Sequence, residues 1–225
     1  MAGRITDIKV QKRNRKRVNI YLDGEYAFSV GLLAAASLGR GDVLSVTETE
    51  ELRRLDSAET AHDRTLNFLG YRPRSTSEVG RYLADKGFPE QVVEEVIGRL
   101  SAAGLLDDLA FARYWVENRE TFRPRGKVLL RQELRQKGVS DRLIDEVLAD
   151  IDEATSAYEA GIQRAKRYAQ LDDEAFREKM SGFLRRRGFD YEVVKDTVSR
   201  LLLHRANDEL ASSDSSPLEE GWKGV

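Results

Sequence analysis

Two different spacings of apolar residues divide the chain. In RVNIYLDGEYAFSV (17–30), Val18, Ile20 and Leu22 alternate with polar or amphipathic neighbours, and Tyr26, Phe28 and Val30 resume the alternation. A period of two is that of a strand with one buried face. Asp23-Gly24 between the runs supplies the positive φ that a two-residue type I′ turn needs. ITDIKV (5–10) reads as a third strand, reached through the basic loop KRNRKR (12–17). A short helix over about 31–38 and a strand or turn over 42–46 are expected to follow. Residues 1–50 thus predict a small β-hairpin module.

From Glu48 onward the period lengthens to that of helices. YLADKGFPEQVVEEVIGRL (82–100) returns as ELRQKGVSDRLIDEVLADI (133–151) and as FLRRRGFDYEVVKDTVSRL (183–201). The glycines Gly87, Gly138 and Gly188 lie 51 and 50 residues apart. A period held twice marks repeated structural units. Leu83, Leu134 and Leu184 share one position, and Val92, Leu143 and Val193 begin a second apolar series that runs to Leu100, Ile151 and Leu201. Each glycine sits where a helix must stop and reverse, in the left-handed conformation that a Cβ disfavours. Ser140 and Asp190 are expected to cap the next helix, and Pro89 suits a first turn. A further helix precedes each pair, at about 51–69, 108–121 and 154–169. Asp107-Asp108 and Asp172-Asp173-Glu174 are read as carboxylates at helix starts.

The predicted fold is mainly α. Three tandem three-helix, helix-turn-helix-like repeats (51–104, 105–152 and 153–205) form an elongated array behind the N-terminal module. An acidic tail over 206–225, poor in apolar anchors, is expected to be disordered.

Composition narrows the chemistry. There is no cysteine and there are two histidines, His62 and His204, so thiol chemistry and a His/Cys zinc site are not expected. The longest apolar run, FSVGLLAAASLG, is shorter than the roughly 20 residues of a membrane span. No secretory signal is recognised, and a cytoplasmic monomer is expected. Gly126-Lys127 lacks the flanking residues of a phosphate-binding loop, and GxSxG and HExxH are absent. No enzymatic activity, cofactor or metal is predicted.

Charge is what remains. The net charge is −2, yet residues 1–20 hold seven Lys/Arg against one Asp, and residues 113–137 hold eight against three acids. Such separation points to a polyanionic or acidic partner. One candidate surface is the loop Lys12, Arg13, Arg15, Lys16 and Arg17. The other is Arg119, Arg123, Arg125, Lys127, Arg131 and Arg135, in which Lys127, Arg131 and Arg135 fall on one helical stripe. Arg185, Arg186 and Arg187 form a weaker cluster. Read blandly, the middle group is a solvated face balanced by Glu117, Glu120 and Glu133. Tyr114, Trp115 and Tyr168 are read as core.

Three stretches, GLLDDLAFARYWVENR (104–119), RPRG (123–126) and ELRQKGV (133–139), together with the repeated K/R-G-F/V turn, resemble the RecX family of recombination regulators. The resemblance covers about residues 60–200, and the N-terminal hairpin matches the longer members. It implies a non-enzymatic protein of three three-helix repeats that lodges in the groove of a RecA filament on single-stranded DNA. There it inhibits ATP hydrolysis and strand exchange, modulating recombination, DNA repair and the SOS response, with the DNA itself a possible contact. The charge pattern also admits a direct DNA-binding helix-turn-helix module, or a structural helical adaptor.

Overall fold

The structure, a computed structural model, describes residues 2–213, with side chains described through residue 207. The chain divides between Asp108 and Leu109 into two compact units.

In the first unit β1 (Gly3–Val10), β2 (Arg17–Leu22), β3 (Glu25–Gly31) and β4 (Val43–Leu44) form an antiparallel sheet in the order β3-β2-β1-β4. Asp23 (φ 50°) and Gly24 (φ 91°) make the left-handed turn between β2 and β3. The alternating residues Val18, Ile20, Leu22, Phe28 and Val30 are buried with Ile5 and Leu44 on one face. The expected helix at 31–38 is instead a series of turns. Short i→i+3 bonds such as Leu38 N–H to the Ala35 carbonyl hold it, and Ala35 is drawn into the sheet's core.

Helix α1 (Val46–Leu69) begins five residues before the expected helix at about 51–69, because Ser45 and Glu48 form a capping box. The Ser45 hydroxyl accepts from the Glu48 N–H and the Glu48 carboxylate accepts from the Ser45 N–H. With α2 (Thr76–Asp85) and α3 (Glu90–Ala102) it forms the first three-helix repeat around Leu83, Val92, Val96 and Leu100. Pro89 stands at the N-cap of α3, immediately before the first turn where it was expected.

The second unit holds α4 (Asp108–Phe122), α5 (Lys127–Gln136) and α6 (Asp141–Ala149), then α7 (Glu153–Ala165), α8 (Asp173–Arg186) and α9 (Tyr191–Ser213). One core gathers Phe111, Val116, Leu130, Leu134 and Ile144; the next gathers Phe176, Met180, Leu184, Val194 and Leu201. Leu83, Leu134 and Leu184 are each fully buried, as their shared register requires. Gly87, Gly138 and Gly188 have φ of 80°, 80° and 82°. Each ends its helix by the predicted left-handed turn, and the next residue's N–H returns to the leucine carbonyl, as from Val139 to Leu134 at 3.1 Å.

Capping departs from expectation at two points. Asp172 and Asp190 accept from nearby N–H groups of their helices as predicted. Ser140 stands at an N-cap without a side-chain bond. Asp108 reaches out of its own helix and accepts from the Thr76 N–H at the start of α2, 2.8 Å away. Helix α7 gives way at Lys166–Tyr168 to a turn of 3-10 helix. α9 continues to Ser213, past the expected start of the tail at 206; residues 214–225 of that tail lie outside the described residues.

Candidate functional site: cationic surfaces and the repeat turns

The loop between β1 and β2 is closed by Asn14, whose carbonyl accepts from the Arg17 N–H and whose side chain accepts from the Lys16 N–H. This turn leaves Lys12, Arg13, Arg15 and Lys16 exposed and without an ion pair among the described residues. Arg17 differs from them. As the first residue of β2 it turns inward, donating to Asp56 of α1 at 2.7 Å, to Thr60 at 3.2 Å and to the Ser29 carbonyl at 3.1 Å. Asp56 also accepts from the Gly31 N–H at 2.7 Å. Arg17 therefore pins the sheet to α1, and four cations rather than five remain free at the tip.

The middle group is split by α5. Lys127, Arg131 and Arg135 do share a stripe, lining a groove of about 750 Å³ with Val128, Gln132 and Gln136. Two of the three are already paired: Arg131 with Asp145 at 2.5 Å and Arg135 with Asp141 at 2.6 Å. The hydrogen bond from Arg135 holds the Asp141 carboxyl below its ordinary range and raises the guanidinium's own pKa. On the other side of α5, Glu133 is nine-tenths buried and accepts from Trp115 Nε1 at 2.7 Å and from Arg119 Nε at 2.9 Å, while Arg125 pairs with its second oxygen. Arg119, Arg125, Arg131 and Arg135 are thus each paired with an acid of their own repeat, but of the three acids expected to balance them only Glu133 takes part, and it is buried rather than on a solvated face. Arg123 is exposed without a described ion pair, and Lys127 is half-buried with none.

Arg123 and Arg125 belong to a second arrangement. Gly126 N–H donates to the Arg187 carbonyl at 2.9 Å, and Arg187 Nη1 donates to the Pro124 carbonyl at 2.9 Å. RPRG is thus the segment on which the third repeat's turn docks. The same pattern stands 51 residues earlier as Arg72-Pro73-Arg74-Ser75, where Arg72 pairs with Glu78 at 2.8 Å. Spacing alone could have revealed that second copy.

Each repeat also sets a cation, one residue before its turn glycine, over a ring. Lys86 lies 5.7 Å from Tyr82, Lys137 4.9 Å from Trp115, and Arg187 4.8 Å from Phe183. A second cation completes each group: Arg119 on Trp115 at 4.5 Å and Arg164 on Phe183 at 5.1 Å. In the first repeat Arg74 sits 3.9 Å from Phe68, which is itself stacked on Tyr82. Tyr82 and Phe183 precede their glycines by five residues, as does Glu133, so the second repeat alone takes its ring from elsewhere. The rings hold the cations at fixed positions and are themselves only partly buried. Tyr114, read as core, is exposed.

No group of His, Asp or Glu able to hold a metal occurs among the described residues, and no helix among them is long and apolar enough to cross a membrane. The fold and its surfaces define a helical-repeat protein whose distinctive chemistry is fixed positive charge. Four family models match in chain order: the N-terminal domain of regulatory protein RecX over residues 3–45, and the first, second and third three-helix domains of RecX over 61–100, 107–148 and 151–198. The chain belongs to the RecX family of regulatory proteins. It is similar to regulatory protein RecX of Bacillus subtilis, 33% identical over 210 residues that cover 91% of this chain and 79% of that one. The RecX of Prosthecochloris aestuarii is 37% identical over 142 residues, covering 63% of this chain and 93% of the relative. A crystal structure of regulatory protein RecX superposes with a TM-score of 0.67 at 30% identity, covering 87% of this chain and all of that one. RecX from Lactobacillus salivarius, at 22% identity and a TM-score of 0.60, shares the fold.

Proposed function

We propose that this chain binds the filament of a RecA-type recombinase on single-stranded DNA and inhibits its ATP hydrolysis and strand exchange. It acts by occupancy rather than by chemistry of its own, as a cytoplasmic monomer. The observation that carries this reading, beside family membership, is the hairpin tip: Lys12, Arg13, Arg15 and Lys16 are exposed, repel one another and have no ion pair among the described residues. A filament offers anions in the phosphates of its strand and in acidic protein surface. An exposed pair is worth only about 0.2–1 kcal/mol, so binding requires several cations at once. Of the middle group, Arg123 and Lys127 are the two without an ion pair among the described residues.

The test is ATP hydrolysis and strand exchange by a RecA-type filament titrated with the chain across a salt series. Reversing Lys12, Arg13, Arg15 and Lys16 to Glu, or Arg123 and Lys127 to Glu, should weaken inhibition at unchanged helicity, and both effects should shrink as salt screens the charges. A parent protein that binds naked DNA tightly yet leaves the recombinase untouched would replace this reading with that of a direct DNA-binding module.

A further inference from the structure

The contact between RPRG and the third repeat's turn gathers more positive charge than the acids beside it balance. The second repeat brings Arg119, Arg123 and Arg125, and the third brings Arg187. Arg119 and Arg125 share the single carboxylate of Glu133. Arg187 spends one N–H on the Pro124 carbonyl, which cancels no charge, and Arg123 has no ion pair among the described residues. Among the described residues, these four guanidinium groups thus have one ion-paired carboxylate between them. Burial and then the positive charge of Arg119, Arg123 and Arg187 push Arg125 below the ordinary guanidinium pKa; burial and then Arg123 and Arg164 do the same to Arg187. The cluster exists only because the backbones touch: Gly126 donates to Arg187, and a Cβ at Gly126 would overlap the Gly188 carbonyl.

We infer that this junction is a composite binding site for a phosphate-type oxyanion, and that the bound anion tightens the contact between the second and third repeats. Guanidinium groups present paired N–H donors that match phosphate oxygens; here they are drawn from two repeats, with Arg119, Arg125 and Arg187 partly buried and Arg123 exposed. Charge repulsion works against a contact that backbone bonds hold together. An anion that relieves it binds the docked arrangement better than the separated one, so by linkage it stabilises docking. The inference deepens the filament-binding reading and rests on it for the source of the phosphate, a nucleic-acid strand, but it is tested without any recombinase.

The experiment follows hydrogen exchange of the Gly126 amide by NMR in the full chain. The probes are inorganic tripolyphosphate, a short oligothymidylate and oligoglutamate, each against chloride at equal ionic strength. At about ten times its dissociation constant, a phosphate probe should slow exchange at Gly126 roughly tenfold. Protection by oligothymidylate, with or without tripolyphosphate, supports a strand as the ligand; protection by tripolyphosphate alone supports the site with a free polyphosphate as its occupant. The double substitution Arg123→Gln, Arg187→Gln should abolish protection. Should that protein fail to fold, Arg123→Gln alone decides, since this exposed side chain has no described ion pair to lose. Protection equal to that of chloride or of oligoglutamate, or protection that survives loss of Arg123, overturns the inference. Loss of recombinase inhibition with protection intact would instead count against the proposed function.

Discussion

The Cα of Gly126 rests against the carbonyl of Gly188, leaving no room for a side chain. A Cβ on Gly188 would in turn overlap Leu129. Gly126 stands at the N-cap of α5, where its counterpart in the first repeat, Ser75, caps α2 through its hydroxyl. The second repeat gives up that cap and gains a backbone contact with its neighbour. Replacing Gly126 by Ala should therefore destabilise the second unit by about 1–3 kcal/mol, the usual range for overpacking. Gly98, inside α3 with open space where a Cβ would be, is the control: Gly98→Ala should stabilise by about 0.5–1 kcal/mol. Urea melts of the two variants check both signs, and equal behaviour would contradict the steric argument.

Arg17 and its loop neighbours should separate in experiment. Arg17→Ala removes the bonds to Asp56, Thr60 and the Ser29 carbonyl and should cost about 1–3 kcal/mol, because it strands a half-buried carboxylate. Reversing Lys12, Arg13, Arg15 and Lys16 should leave the melting temperature within a few degrees. Thermal melts that rank the two proteins the other way would remove Arg17 from its structural role.

Glu133→Gln keeps the shape of the second repeat's hub but leaves Arg119 and Arg125 without their shared charge. Breaking a largely buried pair of this kind should cost about 2–4 kcal/mol, the lower part reflecting partial exposure of the arginines. Fluorescence of Trp115, which donates to Glu133, reports the transition once Trp222 is replaced by Phe. An unchanged urea midpoint would mean that solvent satisfies both guanidinium groups.

Acid should weaken the fold through exposed carboxylates. Asp141 is held below its ordinary pKa of 3.8 chiefly by the hydrogen bond from Arg135, and Asp152 chiefly by that from the Thr155 hydroxyl. Glu48 is held below 4.5 by the Ser45 backbone N–H. Unfolding raises each pKa, so the unfolded chain binds more protons, and stability rises with pH where these groups titrate. Their contribution is full above about pH 4.5 and is lost as pH falls through the lower, folded-state values. Urea midpoints should fall steadily from pH 5 to pH 3, and Asp141→Asn should flatten part of that slope.

Much of the fold was legible because its determinants are local. A period of two with Asp23-Gly24 gives a hairpin; glycines at a fifty-residue spacing give helix turns whose φ near 80° no other residue adopts easily. The misread helix at 31–38 shows where locality ends: Leu32, Leu33, Ala34 and Ala35 have helical propensity, yet Ala35 is taken by the sheet core and the segment closes as turns. Charge was legible as quantity and not as availability. Nothing adjacent to Arg17 announces Asp56, 39 residues away, and nothing near Arg187 announces Pro124, 63 residues away. The sequence by itself determined the elements, the repeat and the excess of cations, since each depends on neighbours within a turn or a strand. Which cations are neutralised, and that Arg123 and Arg187 meet at one junction, was decided by tertiary structure. Ion pairing requires approach within a few ångströms, and only the packing of helix on helix, of sheet on helix and of one repeat on the next sets that distance.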